Sequence, residues 1–310
     1  MKALRDFLII SRAGIQIASL PTALIGCALA ARDRAELWDA GVLVYVLLFF
    51  VVLTFACNIN CLADRDVDAL HKKRMSEAVR SMGEKRVQAI LAVEAVLAVA
   101  LAALLAILKK DAIFCAGAVT LGIAFVYSAP PLRLKQRGWL SPLPVVFGLY
   151  ALPPLGGWYL LRGSLNGAIV VFALGYAMLM EGLTIVNTCE DQPEDEAAGV
   201  RTLAHALGIR RTLVLGAWLA GSGGLGAIGL IVAMAGDARG RPDLSGAIPL
   251  IIAGALAAYY GRSVISAVRV LGSLARAEDP AVECKLRATL MPAWFLKTRY
   301  PLLIIVLLLK

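Results

Sequence analysis

Stretches of about twenty apolar residues recur along this chain, separated by short polar connections. An α-helix of that length crosses the roughly 30 Å hydrocarbon core of a bilayer. The pattern predicts nine such helices, at about 13–31, 40–62, 87–108, 111–128, 140–161, 166–188, 212–235, 246–271 and 289–309. Lys109, Lys110 and Asp111 alone separate the third from the fourth, which predicts a tight helical hairpin, and Lys297 and Arg299 interrupt the ninth. Composition agrees: 60% of the 310 residues are hydrophobic, with a mean hydropathy of +0.77. No Pro- or Ser-rich linker divides the chain, so residues 1–310 read as one domain. The expected fold is an all-α integral membrane protein of nine transmembrane helices.

Charge adds an orientation. Lys and Arg outnumber Asp and Glu by 31 to 22, giving a net charge of +9. Most of the loop Lys and Arg lie on the side of the N-terminus. The positive-inside rule then places the N-terminus, and the long connections at about 64–86 and 189–211, in the cytoplasm, as expected for a protein of a prokaryotic cytoplasmic membrane. This bias accounts for much of the net charge, and with no basic domain interleaved by aromatics the chain is not read as binding nucleic acid. The six cysteines (Cys27, Cys57, Cys61, Cys115, Cys189 and Cys284) form no CxxC pair and read as small apolar packing residues. Leu24-Ile25-Gly26-Cys27 resembles a lipoprotein cleavage site, but cleavage there would discard most of the first span. The segment is therefore read as a retained helix.

Two polar blocks stand out against this background. Asn60, Asp64 and Asp68 share the skeleton Asn-x3-Asp-x3-Asp with Asn187, Asp191 and Asp195, and each block sits where an apolar run gives way to a long polar connection. Residues i and i+4 share a helix face, so each block forms one polar stripe about two turns long. Carboxylates are costly near a bilayer and repel each other when aligned. Mg²⁺, which is held by one or two carboxylates together with substrate phosphates, would relieve that repulsion while gripping a diphosphate. Three full spans separate the helices bearing the blocks, which suggests two related halves with a ninth helix appended and a site at their interface. Asp66, off the stripe, and Glu190, Glu194 and Glu196, around the second block, read as outer or surface acids.

Basic residues stand nearby: His71, Lys72, Lys73 and Arg74 after the first block, Arg201 after the second, and Arg133 and Lys135 in the segment that begins at Tyr127. Arg and Lys neutralise phosphoryl oxygens and stabilise a departing diphosphate. Arg133, Lys135 and Arg201 are read as functional. Lys72, Lys73, Arg137, Arg210 and Arg211 are read as membrane anchors. Tyr127 ends a span, where its ring anchors the interface or stabilises a nearby cation.

These motifs resemble those of the UbiA superfamily of intramembrane prenyltransferases: N-x-x-x-D-x-x-x-D after the second helix, D-x-x-x-D after the sixth, and a tyrosine–lysine stretch between them that Tyr127 to Lys135 matches. Ala198-Gly199-Val200-Arg201-Thr202-Leu203 resembles the family's continuation of the second motif. The resemblance covers essentially the whole chain. It implies a pseudo-repeated helical bundle around a central cavity open sideways to lipid. There, Mg²⁺ would bridge Asp64, Asp68, Asp191 and Asp195 to an isoprenyl diphosphate donor, supported by Asn60 and Asn187. It further implies that Tyr127 and Lys135 act in catalysis, that Arg74, Arg133, Lys135 and Arg201 contact the diphosphate, and that the isoprenyl group passes to a lipophilic acceptor. The chain departs from the common pattern at Cys61, where many relatives carry Asp, and at His71-Lys72-Lys73-Arg74-Met75, where many carry Pro-x-Arg-Pro.

Two other functions are weighed: an intramembrane terpene cyclase, which ionises the same diphosphate but closes the chain on itself, and a transporter that couples cations to the acids. Arg12, Glu94, Glu181, Arg262, Lys297 and Arg299 lie in or beside the spans, and the sequence assigns them no partners. Lys297 and Arg299 read as an interfacial kink before Pro301.

Overall fold

The computed structural model describes residues 2–108, 111–236, 247–287 and 290–309. Among these the chain is helical. The helices are α1 (Lys2–Ile10), α2 (Ala13–Ala30), α3 (Ala40–His71), α4 (Lys73–Met82), α5 (Glu84–Leu108), α6 (Asp111–Ser128), α7 (Leu152–Arg162), α8 (Gly167–Glu190), α9 (Gln192–Ala197), α10 (Leu203–Leu207), α11 (Ile209–Gly236), α12 (Ala247–Ala275), α13 (Pro280–Leu286) and α14 (Leu290–Leu308). A π-helical turn, Val145–Ala151, leads into α7, whose first turn holds Pro153 and Pro154. Their missing N–H groups are harmless there, because the first turn has no partner for them.

Local chemistry sets the helix ends. Asp39 caps α3 by accepting from the Gly41 amide at 2.7 Å, and Asn166 caps α8 by accepting from the Ile169 amide at 3.0 Å. Gly163, at φ 71°, closes α7 in the left-handed conformation that glycine adopts without penalty.

Among the described residues, eight helical stretches are long and apolar enough to cross a bilayer. The fourth predicted span, 111–128, folds as α6 over the same residues. Ala129, Pro130 and Pro131 cut it off, because the residue before a proline is driven out of the helical region. Lys109 and Lys110 of the predicted hairpin lie outside the described residues.

The outer surface is apolar. Val96, Ile107, Leu225 and Ile251 are each at least 70% exposed, as lipid-facing side chains are. The protein is an integral membrane protein. Its helices pack around a polar-mouthed cavity lined from α2, α3, α6, the π-helical turn, α7, α8 and α14.

Arg299 changes the reading of the last helix. It lies in the core at 1% exposure rather than at an interface. Its Nη1 donates to the Ala18 carbonyl at 3.0 Å and to Ser19 Oγ at 2.9 Å, and its guanidinium sits 3.8 Å from the Phe295 ring centroid. A cation at membrane depth holds its place by such partners, and here they latch α14 onto α2. Lys297, two residues away, is exposed.

Close backbone approach fixes the rest of the bundle. A Cβ on Gly182 would lie 2.5 Å from the Ala220 nitrogen and 2.6 Å from the Gly216 carbonyl oxygen, and one on Gly223 would lie 2.5 Å from the Gly175 oxygen. These glycines let α8 and α11 touch along their backbones, the small-residue packing that membranes favour. Gly26 does the same between α2 and α7, where an added Cβ would fall 2.0 Å from the Pro154 oxygen. Gly182→Ala and Gly26→Ala should therefore each destabilise the protein by about 1–3 kcal/mol. Gly229→Ala, where an added Cβ meets nothing within 4 Å, should be neutral or stabilising. Thermal unfolding of the three variants in detergent checks this, and equal melting temperatures would refute it.

Candidate active site

The first block forms as its spacing predicts. Asn60, Asp64 and Asp68 lie on the last turns of α3 and face the cavity. Asp66 points out, is largely exposed, and lies 3.7 Å from both Arg65 and Arg80.

The second block is not one continuous helix. Asn187 belongs to α8, Asp191 is the joint, and Asp195 lies on α9. Pro193 forces the break, because it has no N–H to give to the residue four back. The Asp195 amide still reaches the Asp191 carbonyl at 2.9 Å, so the turn keeps both carboxylates on the cavity side. Glu194 differs from a surface acid: it is buried, with 9% exposure, and its Oε1 accepts from Lys285 of α13. Glu196 is exposed and lies near Gln192.

The two blocks meet at the mouth of one cavity of about 430 Å³, which Asn60, Asp64, Asp68, Asn187, Asp191 and Asp195 all line. Cations cross-link the acids. Arg133 Nη2 donates to Asp64 Oδ1 at 2.7 Å, and Lys135 Nζ donates to Asp64 Oδ2. Arg133 sits at φ 42°, a conformation non-glycine residues seldom adopt, in the turn that aims both side chains at Asp64. Burial pulls the Lys135 ammonium below its usual pKa, while Asp64 opposes that shift. Across the mouth, Lys72 Nζ donates to Asp191 Oδ2 at 2.7 Å. Lys72 is thus a cavity residue rather than a membrane anchor.

Arg12 joins the site from the turn between α1 and α2. Its Nη2 donates to Asn60 Oδ1 at 3.0 Å, and it lines the cavity. The sequence signal for Lys72 was its position four residues after Asp68. For Arg12, 48 residues before Asn60, the sequence carried no such signal.

Tyr127 and Lys135 line the cavity. Arg74 and Arg201 do not: both side chains are exposed, and the Arg201 main chain instead binds the neighbouring loop, with its carbonyl accepting from the Gly138 amide at 2.7 Å.

Among the described residues, no three His, Cys, Asp or Glu side chains form a ready-made metal cluster. The donor set nevertheless suits Mg²⁺, which takes oxygen ligands and relies on one or two carboxylates with water and phosphate. Two observations mark unmet demand for a cation. The buried Asn187 Oδ1 has no hydrogen-bond partner. The Asp195 carboxyl is pushed up to about 7, first by burial and then by repulsion from Asp191.

The UbiA prenyltransferase family model matches residues 19–268. The chain belongs to that family. Within it, the chain is similar to the lycopene elongase/hydratase of Halobacterium salinarum, at 32% identity over 199 residues, covering 63% of this chain and 70% of that relative. It is also similar to the chloroplastic chlorophyll synthase of Arabidopsis thaliana, at 36% identity over 86 residues, though the match spans only 22% of that relative's length. In fold it resembles a UbiA homolog from Archaeoglobus fulgidus solved bound to DMAPP and Mg²⁺. That likeness has a TM-score of 0.64 at 20% identity and covers 96% of this chain and 99% of that one. The UbiA fold thus brings two motifs, distant in sequence, to one cavity mouth.

The Asp195 shift carries a sign. A carboxyl whose pKa is raised by folding binds its proton more tightly in the folded state, so stability falls as pH rises from about 4 toward 7. In metal-free protein the melting temperature should decline across that window, and Asp195→Asn should flatten the decline. Parallel pH profiles of the two proteins, both measured in EDTA, would contradict this account.

Proposed function

We propose that this chain is a Mg²⁺-dependent intramembrane prenyltransferase that moves an isoprenyl group from an isoprenyl diphosphate to a lipophilic acceptor. The carrying observation is the convergence of Asp64, Asp68, Asp191 and Asp195 at the polar end of a cavity whose deeper walls are apolar, among them Leu48, Phe49, Val52 and Leu53. In this reading the four aspartates hold Mg²⁺, with Asn60 and Asn187 beside them. Bound Mg²⁺ would neutralise charge on the leaving diphosphate.

The chain's own cations complete the clamp. Lys72, Arg133 and Lys135, now paired with carboxylates, would be free to donate to diphosphate oxygens with Mg²⁺ on those carboxylates. Tyr127 offers its π-face to the positive charge that develops as the allylic C–O bond breaks. The apolar walls keep water scarce, so a bound acceptor captures that charge ahead of water. The relatives named lycopene elongase/hydratase and chlorophyll synthase support a large lipophilic acceptor. The Archaeoglobus fulgidus homolog solved with DMAPP and Mg²⁺ supports the donor class.

The site opens to the cytoplasm of a prokaryotic cell in this reading, because the connections that carry it also carry most of the loop Lys and Arg.

Asp64→Ala and Asp191→Ala should each slow diphosphate release from geranylgeranyl diphosphate at least ~100-fold, the scale of losing a preorganised charge contact, and EDTA should do the same to the unmodified protein. Release of inorganic diphosphate is the measurement, and undiminished release in either variant would reject the reading. A cyclic hydrocarbon formed from the donor alone would assign a cyclase instead.

A further inference from the structure

Glu181 stands apart from every other acid in the cavity. Among the described residues lining it, Glu181 is the only carboxyl outside the two Asn/Asp blocks. It lies in membrane-spanning α8 at 6% exposure. It makes no hydrogen bond or ion pair among the described residues, and its Oε2 is buried without a partner. Glu94 and Arg299, also buried in the spans, each leave one polar atom without a partner but are held by others: Glu94 Oε1 accepts from Asn58 Nδ2 at 2.7 Å, and Arg299 is latched to α2. An unsatisfied carboxyl in an apolar interior is costly, so the position calls for a partner that arrives with a ligand.

Its surroundings say where that ligand lies. Residues 181, 184, 188 and 191 recur at helical spacing and all line the cavity, so α8 presents one polar stripe from the mouth inward. Ten residues of helix put Glu181 about 15 Å deeper than Asp191 along that stripe. Tyr127, at the end of α6, lines the same cavity as Glu181 and Asp64. Tyr150 also lines it but cannot satisfy Glu181. Thr184 donates its hydroxyl proton to the Met180 carbonyl at 2.8 Å, so the 2.8 Å contact between Tyr150 Oη and Thr184 Oγ1 uses the phenol's own proton.

We propose that Glu181 is the base that takes the acceptor's proton during prenyl transfer. The acceptor is then a lipophilic molecule whose nucleophilic atom carries a hydrogen, lying between Tyr127 and Glu181. This rests on the prenyltransferase reading above. The C1–O bond of the donor breaks and its electron pair leaves with the diphosphate. An electron pair of the acceptor forms the new bond to C1. The proton lost from the acceptor goes to the Glu181 carboxylate and is released at the mouth after product leaves.

The test follows [1-¹⁴C]geranylgeranyl diphosphate, with Mg²⁺ and total membrane lipid of the source organism, through three readouts: donor binding, diphosphate release, and label in extractable lipid product. Glu181→Gln should keep donor binding and diphosphate release within threefold, with the prenyl group lost to water as the alcohol. Label in the lipid product should fall at least ~100-fold, in the range general bases contribute, and Glu181→Asp should recover at least tenfold of that loss. Three results would overturn the assignment: lipid labelling by Glu181→Gln within threefold of the unmodified rate, loss of binding and release together with transfer, or no recovery in Glu181→Asp. An unmodified protein that labels no lipid, or that releases diphosphate unchanged after Asp64→Ala, would instead sink the prenyltransferase reading itself.

Discussion

Everything at this site depends on compensating negative charge in a poorly solvated cavity. Carboxylates from two parts of the chain converge where water is scarce, and each must find positive charge or keep a proton. Arg133 and Lys135 meet Asp64, Lys72 meets Asp191, and Asp195 holds its proton to about 7. The same groups answer the chemistry of a metal–diphosphate ligand. With Mg²⁺ held by the acids, Lys72, Arg133 and Lys135 would stand free beside a bound diphosphate.

Holding that charge in place requires rigid walls. Gly182, Gly216 and Gly223 bring α8 and α11 into backbone contact, and Gly26 does the same for α2 and α7. In lipid, apolar helices gain little from hiding from water, so close approach and dispersion carry the association. Arg299 adds a polar latch at the same depth. The helix that carries the second motif, α8, is thus fixed along its length against α11, so its polar stripe points into the cavity at both Asp191 and Glu181.

That stripe joins the two ends of the cavity. Near the mouth the residues are suited to a diphosphate and its counter-ions. Deeper in, apolar walls such as Leu48, Phe49, Val52 and Leu53 alternate with a few polar groups, among them Glu181, Thr184, Tyr150 and Arg299. A donor lying along this axis would place its reactive carbon past Tyr127, between charge that pulls the leaving group and a carboxyl that can accept a proton.

Whatever depends on local order was legible along the chain. Run length gave the membrane-spanning helices, since the bilayer sets a nearly fixed requirement. The i, i+4 spacing gave the stripe on α3, and the two matched blocks with Tyr127 and Lys135 gave the family and most of the cavity mouth. Short-range pattern failed where backbone breaks or distant contacts intervened. The second block bends at Pro193 rather than continuing α8. The partners of isolated charges emerge from the packing of distant segments. Arg12 and Asn60, Lys72 and Asp191, and Arg299 and Ala18 lie 48, 119 and 281 residues apart. Folding also turned Arg74 and Arg201 away from the cavity and left Glu181 inside it without a partner. An isolated charge in an apolar run has no period to read, and its role is set by whichever helix packs across from it.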